Sequence, residues 1–135
     1  MAPIFRTTRR VEFADTDMAG MVHFANFFRY MEAAEVEFWR SRGLSVMMRQ
    51  QKERMSFPRV SASCDYKKIA LFEDLLDIDV TIKRLGNKSV TFGFEISRAG
   101  ESLATGQITA VCCRVAPNRP LEAIEIPPAI RERLQ

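Results

Sequence analysis

Histidine and cysteine are scarce in this chain of 135 residues. The single histidine, His23, excludes a histidine-rich metal site, and no Cys-x-x-Cys pair is present to replace one. The three cysteines are odd in number, and Cys112 and Cys113 are adjacent, so on a strand they would point to opposite faces. We therefore expect no metal, no disulfide framework and a reduced, cytoplasmic protein.

Long apolar runs and phosphate-binding loops are also missing. No stretch reaches the roughly 18 consecutive apolar residues that a membrane span requires, and the basic N-terminus predicts no secretory signal. The Gly-x-Ser-x-Gly, Gly-x-Gly-x-x-Gly and Gly-Lys-Ser/Thr motifs do not occur. Asp15 and Asp17 begin like a calcium loop, but Ala19 and Asn26 occupy its fifth and twelfth ligand positions. We expect no cofactor.

Charge of neither sign is concentrated. Twenty Lys and Arg face 17 Asp and Glu, and the basic residues are scattered with no run longer than a pair. A nucleic-acid binder would more often gather them on one face, so the pattern disfavours nucleic acid and fits a small anionic ligand at least as well. The composition, 47% hydrophobic and 27% charged, is that of a globular protein, and the length predicts one domain over residues 1–135.

The hydrophobic pattern predicts one long helix near the N-terminus. Apolar residues recur at helical spacing from Phe24 to Phe38, and Gly43 is expected to end the helix. Val11–Phe13 predicts a short strand before it, and Val46–Lys52 a second short helix after it.

Further along the chain apolar residues recur at every second position. A last helical turn is predicted at Pro127-Pro128. Four stretches alternate apolar and polar residues and predict strands: Val60–Tyr66, Leu76–Lys83, Val90–Ile96 and Leu103–Val115. Tight turns between most of them indicate an antiparallel sheet, which the long helix must cover. We therefore predict an α+β fold of five strands and one helix, whose exposed edges and uncovered rear face favour a homo-oligomer.

The segment Asp15–Asn26 has the densest set of chemically useful residues. A helix N-terminus offers free backbone N–H groups that can stabilise an oxyanion, and Asp17 offers a carboxylate beside it. Simpler roles stay open: Asp17 and Gly20 as turn residues, His23 as a packing residue and Asn26 as a helix cap. Spacing alone indicates only possible carbonyl chemistry.

The stretch Val11–Ala34 resembles the signature of the hotdog-fold 4-hydroxybenzoyl-CoA thioesterase family. Its features are an apolar strand, Asp-Thr-Asp, Ala-Gly, an apolar pair and a helix with early aromatics and an asparagine. The resemblance continues through Asp65-Tyr66, Leu75–Ile82 and Leu85–Ser89, and covers residues 5–115. It implies the hotdog fold, an antiparallel five-stranded sheet wrapped around one long helix.

The resemblance implies a thioesterase that hydrolyses an acyl- or aroyl-CoA to the free acid and coenzyme A. Asp17 matches the catalytic carboxylate, which either attacks the thioester carbonyl or activates a water. The backbone N–H of Phe24 matches the oxyanion donor. For His23, similarity to the Tol-Pal-cluster branch implies assistance to the attack or protonation of the departing thiolate. Phe13 stands where that branch commonly has tyrosine, so the branch stays open.

The resemblance also implies a homo-oligomer, a dimer or tetramer, with sites at the subunit interface. Gly20 and Asn26 are expected to border the substrate. For the coenzyme A nucleotide the candidates by position are Arg84, Lys88 and Ser89, with Lys67 behind them. Two other functions remain open: a non-catalytic acyl-CoA-binding hotdog protein and a hotdog acyl-thioester dehydratase.

Overall fold

The computed structural model describes residues 2–50 and 53–135. A five-stranded antiparallel sheet and one long helix form its main body, which confirms the predicted α+β class and strand number. The sheet has the order β1-β5-β6-β7-β4, with strands β1 (Phe5–Arg10), β4 (Arg59–Tyr66), β5 (Leu75–Leu85), β6 (Ser89–Arg98) and β7 (Glu101–Val111).

A smaller four-stranded sheet and a C-terminal helix complete the described chain. The sheet has the order β2-β3-β8-β9, with strands β2 (Met47–Gln50), β3 (Glu53–Ser56), β8 (Cys113–Val115) and β9 (Glu122–Ala123). The long helix is α1 (Asn26–Ser41) and the C-terminal helix is α2 (Pro128–Leu134). Neither helix is long and apolar enough to cross a bilayer. The three cysteines are free thiols.

Helix α1 forms because its apolar residues share one face, which the sheet buries. Phe27, Met31, Ala34 and Phe38 are at most 3% exposed. The last helical residue is Ser41, and the chain turns away at Gly43, the glycine predicted to end the helix; its φ is +73° and the next amide returns to the carbonyl of Trp39.

One charged residue lies within this buried face. Glu35 is fully buried and accepts hydrogen bonds from Trp39 Nε1 at 3.0 Å and Arg59 Nε at 3.2 Å. Burial raises the pKa of Glu35, and the Arg59 guanidinium opposes that rise. The pair ties the helix to the first residue of β4.

The helix and the sheet are in close contact at Gly106 on β7. A Cβ there would lie 2.8 Å from the carbonyl oxygen of Ser63 and would collide with the sulfur of Met31. The absence of a side chain at Gly106 therefore makes room both for the Met31 side chain of α1 and for the backbone of β4.

The sheet face away from the helix is polar. A row of paired residues, Arg6, Asp79, Glu95 and Thr105, crosses it from β1 to β7. Because this face is suited to water, it does not by itself require association, and the predicted homo-oligomer stays a prediction.

The first predicted strand was wrong. Phe13–Asp15 forms a 3-10 turn in which the amide of Asp15 bonds the carbonyl of Glu12 at 2.9 Å. The actual first strand, Phe5–Arg10, has the sequence FRTTRR, and on its half-buried face Phe5 is the only apolar residue, followed by Thr7 and Arg9. This composition hides the alternation of apolar and polar residues by which a strand is predicted from sequence.

Three other predicted elements differ from the structure. The second short helix over Val46–Lys52 was wrong, because Met47–Gln50 pairs with β3 as a strand; residues 51–52 lie outside the described chain. The strand Leu103–Val115 is two strands, separated at Cys112, whose amide bonds the carbonyl of Lys88 while its carbonyl accepts from Ile124. The long helix begins at Asn26 instead of Phe24.

Candidate active site

A cleft of about 380 Å³ opens between two loops at one end of the main sheet. We call residues 15–24, which lead into α1, the motif wall, and residues 66–74, between β4 and β5, the loop wall. The lining is mostly apolar and includes Asp17, Met21, Val22, His23, Phe24, Phe27, Tyr66, Lys67, Lys68, Ile69 and Ala70. Three predicted catalytic residues, Asp17, His23 and Phe24, therefore share one cavity.

The Asp17 carboxylate is exposed and held by its own loop. Its Oδ1 accepts hydrogen bonds from the amides of Ala19 at 2.8 Å and Met21 at 3.3 Å. Within the described residues, 2–50 and 53–135, no donor forms a hydrogen bond to the other carboxylate oxygen, Oδ2. The loop amides thus orient the carboxylate and leave one oxygen for a ligand.

His23 lies beside Asp17 with its ring stacked on that of Phe24, the centroids 4.6 Å apart. Its Nδ1 accepts the amide N–H of Ala25 at 3.2 Å. Because Nδ1 is an acceptor, the neutral ring has its proton on Nε2, which can donate to a ligand.

The Phe24 amide stands at the first turn before α1. The amide of Asn26 bonds the carbonyl of His23 at 2.9 Å, so the chain already turns at His23 although the helix begins at Asn26. In the part of the chain that the structure describes, the Phe24 N–H has no acceptor. Such a group at the start of a helix is a donor for an anionic oxygen.

Gly20 and Asn26 are near the cleft but outside its lining. Gly20 has φ of +80° and donates its amide to the carbonyl of Asp17 at 3.0 Å, which serves the turn. Asn26 donates its side-chain Nδ2 to the carbonyl of Asp15 at 2.7 Å, so it is neither a helix cap nor, in this conformation, directed at a ligand.

Ion pairs surround the loop wall. Arg98 bonds Asp74 at 2.6 Å and Glu101 at 3.0 Å, and Glu101 pairs with Lys68 at 2.6 Å. The Lys67 ammonium lies 3.5 Å from the hydroxyl of Ser102 and has no carboxylate partner in the described chain. Lys67 is thus the cation of this wall whose charge is not neutralised by a neighbour.

Direct contacts join the two walls, among them an isolated antiparallel bridge between Met21 and Leu71. The phenol of Tyr66 donates to the carbonyl of Phe24 at 2.9 Å, and the amide of Val22 donates to the carbonyl of Ala70 at 2.9 Å. Phe27 lies beneath, edge-on to the ring of Tyr66 at 5.3 Å. Sequence reasoning missed Tyr66, because a strand-end tyrosine gives no signal of which loop it meets.

Arg84, Lys88 and Ser89 lie far from the cleft of their own chain. They are at the end of β5 and in the following turn, whereas the cleft adjoins the start of β5. Ten residue steps along a strand span about 33 Å. Of the basic residues named as coenzyme A candidates, Lys67 alone lines the cleft.

Comparisons with known proteins identify thioesterases. Residues 11–134 match the thioesterase-like superfamily. A 4-hydroxybenzoyl-CoA thioesterase from Pseudomonas is 32% identical over 100 residues, which cover 73% of this chain and 71% of that protein. The acyl-CoA thioester hydrolase YbgC of Escherichia coli is 28% identical over 110 residues, 82% of this chain and 81% of that protein.

Solved structures show the same fold. A 1,4-dihydroxy-2-naphthoyl-CoA thioesterase from Synechocystis superposes with a TM-score of 0.82 at 27% identity, and the match covers 96% of this chain and 94% of that one. The expectation of a hotdog fold is confirmed. The chain is a thioesterase that belongs to the thioesterase-like superfamily.

Proposed function

We propose that this thioesterase hydrolyses an acyl- or aroyl-CoA to the free acid and coenzyme A. The observation that carries the proposal is the cleft that Asp17, His23 and Phe24 line together with mostly apolar residues. Two similar proteins are named as acting on a hydroxybenzoyl-CoA and on acyl-CoA thioesters, which supports this substrate class.

The free oxygen of Asp17 performs the first step. It either attacks the thioester carbonyl carbon, which forms a mixed anhydride and expels the thiolate, or removes a proton from a water that attacks the same carbon. Water consumed in either route supplies the OH of the acid and the proton of the thiol. The amides of Ala19 and Met21 keep the carboxylate oriented toward the cleft.

Charge moves onto the carbonyl oxygen and then onto sulfur. The Phe24 N–H, which has no acceptor in the described chain, stabilises the oxyanion as it forms. His23 donates its Nε2 proton to the departing thiolate, because its Nδ1 is occupied by the amide of Ala25.

We further propose that two copies pair through β4, which places each site between subunits. This strand is at the sheet edge, and Val60 and Tyr66 on it are 62% and 45% exposed. Arg59 is in register with Ala110, which pairs with Val90, beside the 86–89 turn. An antiparallel β4 pair would therefore carry the partner's 86–89 turn to the end of the assembly that holds the first copy's cleft.

This arrangement gives roles to the distant basic residues. Arg84, Lys88 and Ser89 of one copy would meet the coenzyme A phosphates at the other copy's cleft, while Lys67 acts from within its own chain. The three free thiols support a reducing, cytoplasmic location as part of the same proposal.

The first test measures thiol release from a panel of short, branched, long-chain and aromatic acyl-CoAs. The parent is compared with Asp17→Asn and with Asp77→Asn, a matched loss of a carboxylate on the polar sheet face. We expect turnover by the parent, a fall in kcat of at least about 100-fold in D17N, and no change in D77N. Parental activity in D17N would refute the role of Asp17, and acyl-CoA binding without turnover would indicate a binding protein.

The second test mixes two inactive variants, Asp17→Asn and Lys88→Glu, after co-refolding. If a site combines Asp17 of one copy with Lys88 of the other, the mixed dimers regain one intact site. Random pairing then restores about a quarter of the parental activity. No recovery would show that both residues act within one chain.

A further inference from the structure

We propose that Asp15, the first aspartate of the motif, is a positioning residue that fixes the Asp17 loop against the start of helix α1. It acts through the buried phenol of Tyr30 and the side chain of Asn26, and this inference rests on the proposed function of Asp17. Asp15 lies outside the cleft lining, so it is not itself expected to touch substrate.

The backbone carbonyl of Asp15 joins three segments. It accepts the amide of His23 at 2.9 Å and the side-chain Nδ2 of Asn26 at 2.7 Å. The first bond closes the loop that contains Asp17, and the second attaches that loop to the first residue of α1. One oxygen therefore links the carboxylate-bearing loop to the helix start where the Phe24 amide lies.

The carboxylate of Asp15 anchors that carbonyl from the other side. Its Oδ2 accepts the phenol O–H of Tyr30 at 2.9 Å and the amide of Glu12 at 2.9 Å. Tyr30 is 1% exposed and packs edge-on against Phe27, so the phenol is immobile. Burial, with the bond to Asp15 as a further cause, raises the pKa of Tyr30, and the phenol stays a donor over the working pH range.

Asp17 has no comparable anchor among the residues that the structure describes. Within them its carboxylate bonds only to amides of its own exposed loop, and these move with the loop. A displacement of about 1 Å between an attacking group and its target can cost about 100-fold in rate. The hydrogen bonds of Asp15 thus decide how far the Asp17 oxygen lies from a carbonyl held at the Phe24 amide.

The test uses Tyr30→Phe, Asp15→Asn and the double variant in steady-state kinetics well below each Tm. We expect about a tenfold fall in kcat for each single variant, KM within about twofold, and a double variant no worse than the poorer single one. The control Thr91→Val loses a hydroxyl bond of 2.9 Å to Thr109 on the polar face and should lower Tm without changing kcat. Unchanged kcat in both single variants, or additive losses in the double one, would overturn the inference.

The parent and D17N are measured in the same assay, so that a failure of the proposed function can be distinguished from a failure of this inference. An inactive parent overturns the proposed function alone, and the amide NMR shifts of Ala19 and Met21, which bond Asp17, then decide the inference. The amide chemical shifts of Ala19 and Met21 should change in Y30F and stay the same in T91V. Shifts unchanged in Y30F would overturn it.

Discussion

The two walls of the cleft are held in opposite ways. The motif wall is anchored inward, by Asp15 on the phenol of Tyr30, which is 1% exposed. The loop wall is anchored outward, by a chain of ion pairs from Asp74 through Arg98 and Glu101 to Lys68 whose side chains are 21–56% exposed. Hydrogen bonds of a buried group keep their geometry as salt and pH change, whereas exposed ion pairs weaken with salt and acid.

The difference separates two requirements of the proposed reaction. The wall with the attacking group needs a fixed geometry, and the wall opposite needs only to admit and release a ligand. We therefore expect changes to the motif wall to affect kcat and changes to the loop wall to affect KM. Substitutions at Phe27, Arg98, Tyr66 and Asp74 should test this division with successively smaller effects.

The largest effect is expected where both walls meet, at Phe27. This side chain is 3% exposed and contacts the rings of Tyr30 and Tyr66. Phe27→Ala should lower the free energy of unfolding by about 3–5 kcal/mol in urea titrations. The control Phe13→Ala, at a ring 77% exposed, should cost less than about 1 kcal/mol. Equal losses in the two variants would show that Phe27 is not the shared support.

Loss of the central guanidinium should loosen the loop wall alone. Arg98→Gln removes the ion pairs to Asp74 and Glu101 and should cost about 1 kcal/mol of stability, because these pairs are partly exposed. We expect KM for the best acyl-CoA to rise several-fold with kcat within twofold. High salt should raise KM of the parent by a larger factor than KM of the variant, in which these ion pairs are already lost. A fall in kcat with constant KM would contradict the division.

A smaller effect is expected for the hydrogen bond between the walls. Tyr66→Phe removes the phenol bond to the carbonyl of Phe24, which is exposed to solvent. Thermal unfolding should show a loss of about 0.5 kcal/mol. Hydrogen exchange should show faster exchange in residues 67–74 and unchanged exchange at His23, whose amide bonds Asp15. Faster exchange at His23 would show that Tyr66 also holds the motif wall.

The smallest effect is expected on thermal stability at low pH. Burial opposes ionisation of Asp74, but the Leu71 amide and the Arg98 guanidinium outweigh it and hold the pKa of Asp74 below 3.8. A lowered pKa gives stability that is present above the unfolded value and is lost as pH falls through the folded one. Tm of the parent should therefore fall below about pH 4 more steeply than Tm of Asp74→Asn. Parallel curves would contradict a role for this carboxylate.

Sequence patterns predicted the motif wall better than the loop wall. Asp17, His23 and Phe24 are close in the chain, so a local motif identifies them. The loop wall depends on where β4 leaves β7: the amides of Lys67 and Lys68 both bond the carbonyl of Leu103, 35 residues or more away, and no local pattern records that contact. The smaller sheet was missed because its strands have two to four residues, too few to show a period.

The fold was predicted where apolar and polar residues alternate clearly, as in β5 and β6. It was not predicted in β1, where threonine and arginine occupy both faces. The distance of Arg84, Lys88 and Ser89 from the cleft of their own chain was not predicted, because position along a strand sets which end of the sheet a residue reaches. Their role toward coenzyme A stays a prediction.

The glycine at position 106 has a consequence for the size of the cleft. Met31, which packs against it, is one helical turn beyond Phe27, whose ring forms the floor between the walls. A single added methyl group at position 106 would have to displace the side chain of Met31 or the backbone of Ser63 on β4, although position 106 is not part of the cleft lining. The packing behind the floor of the cleft therefore depends on a hydrogen atom of a residue outside the cleft.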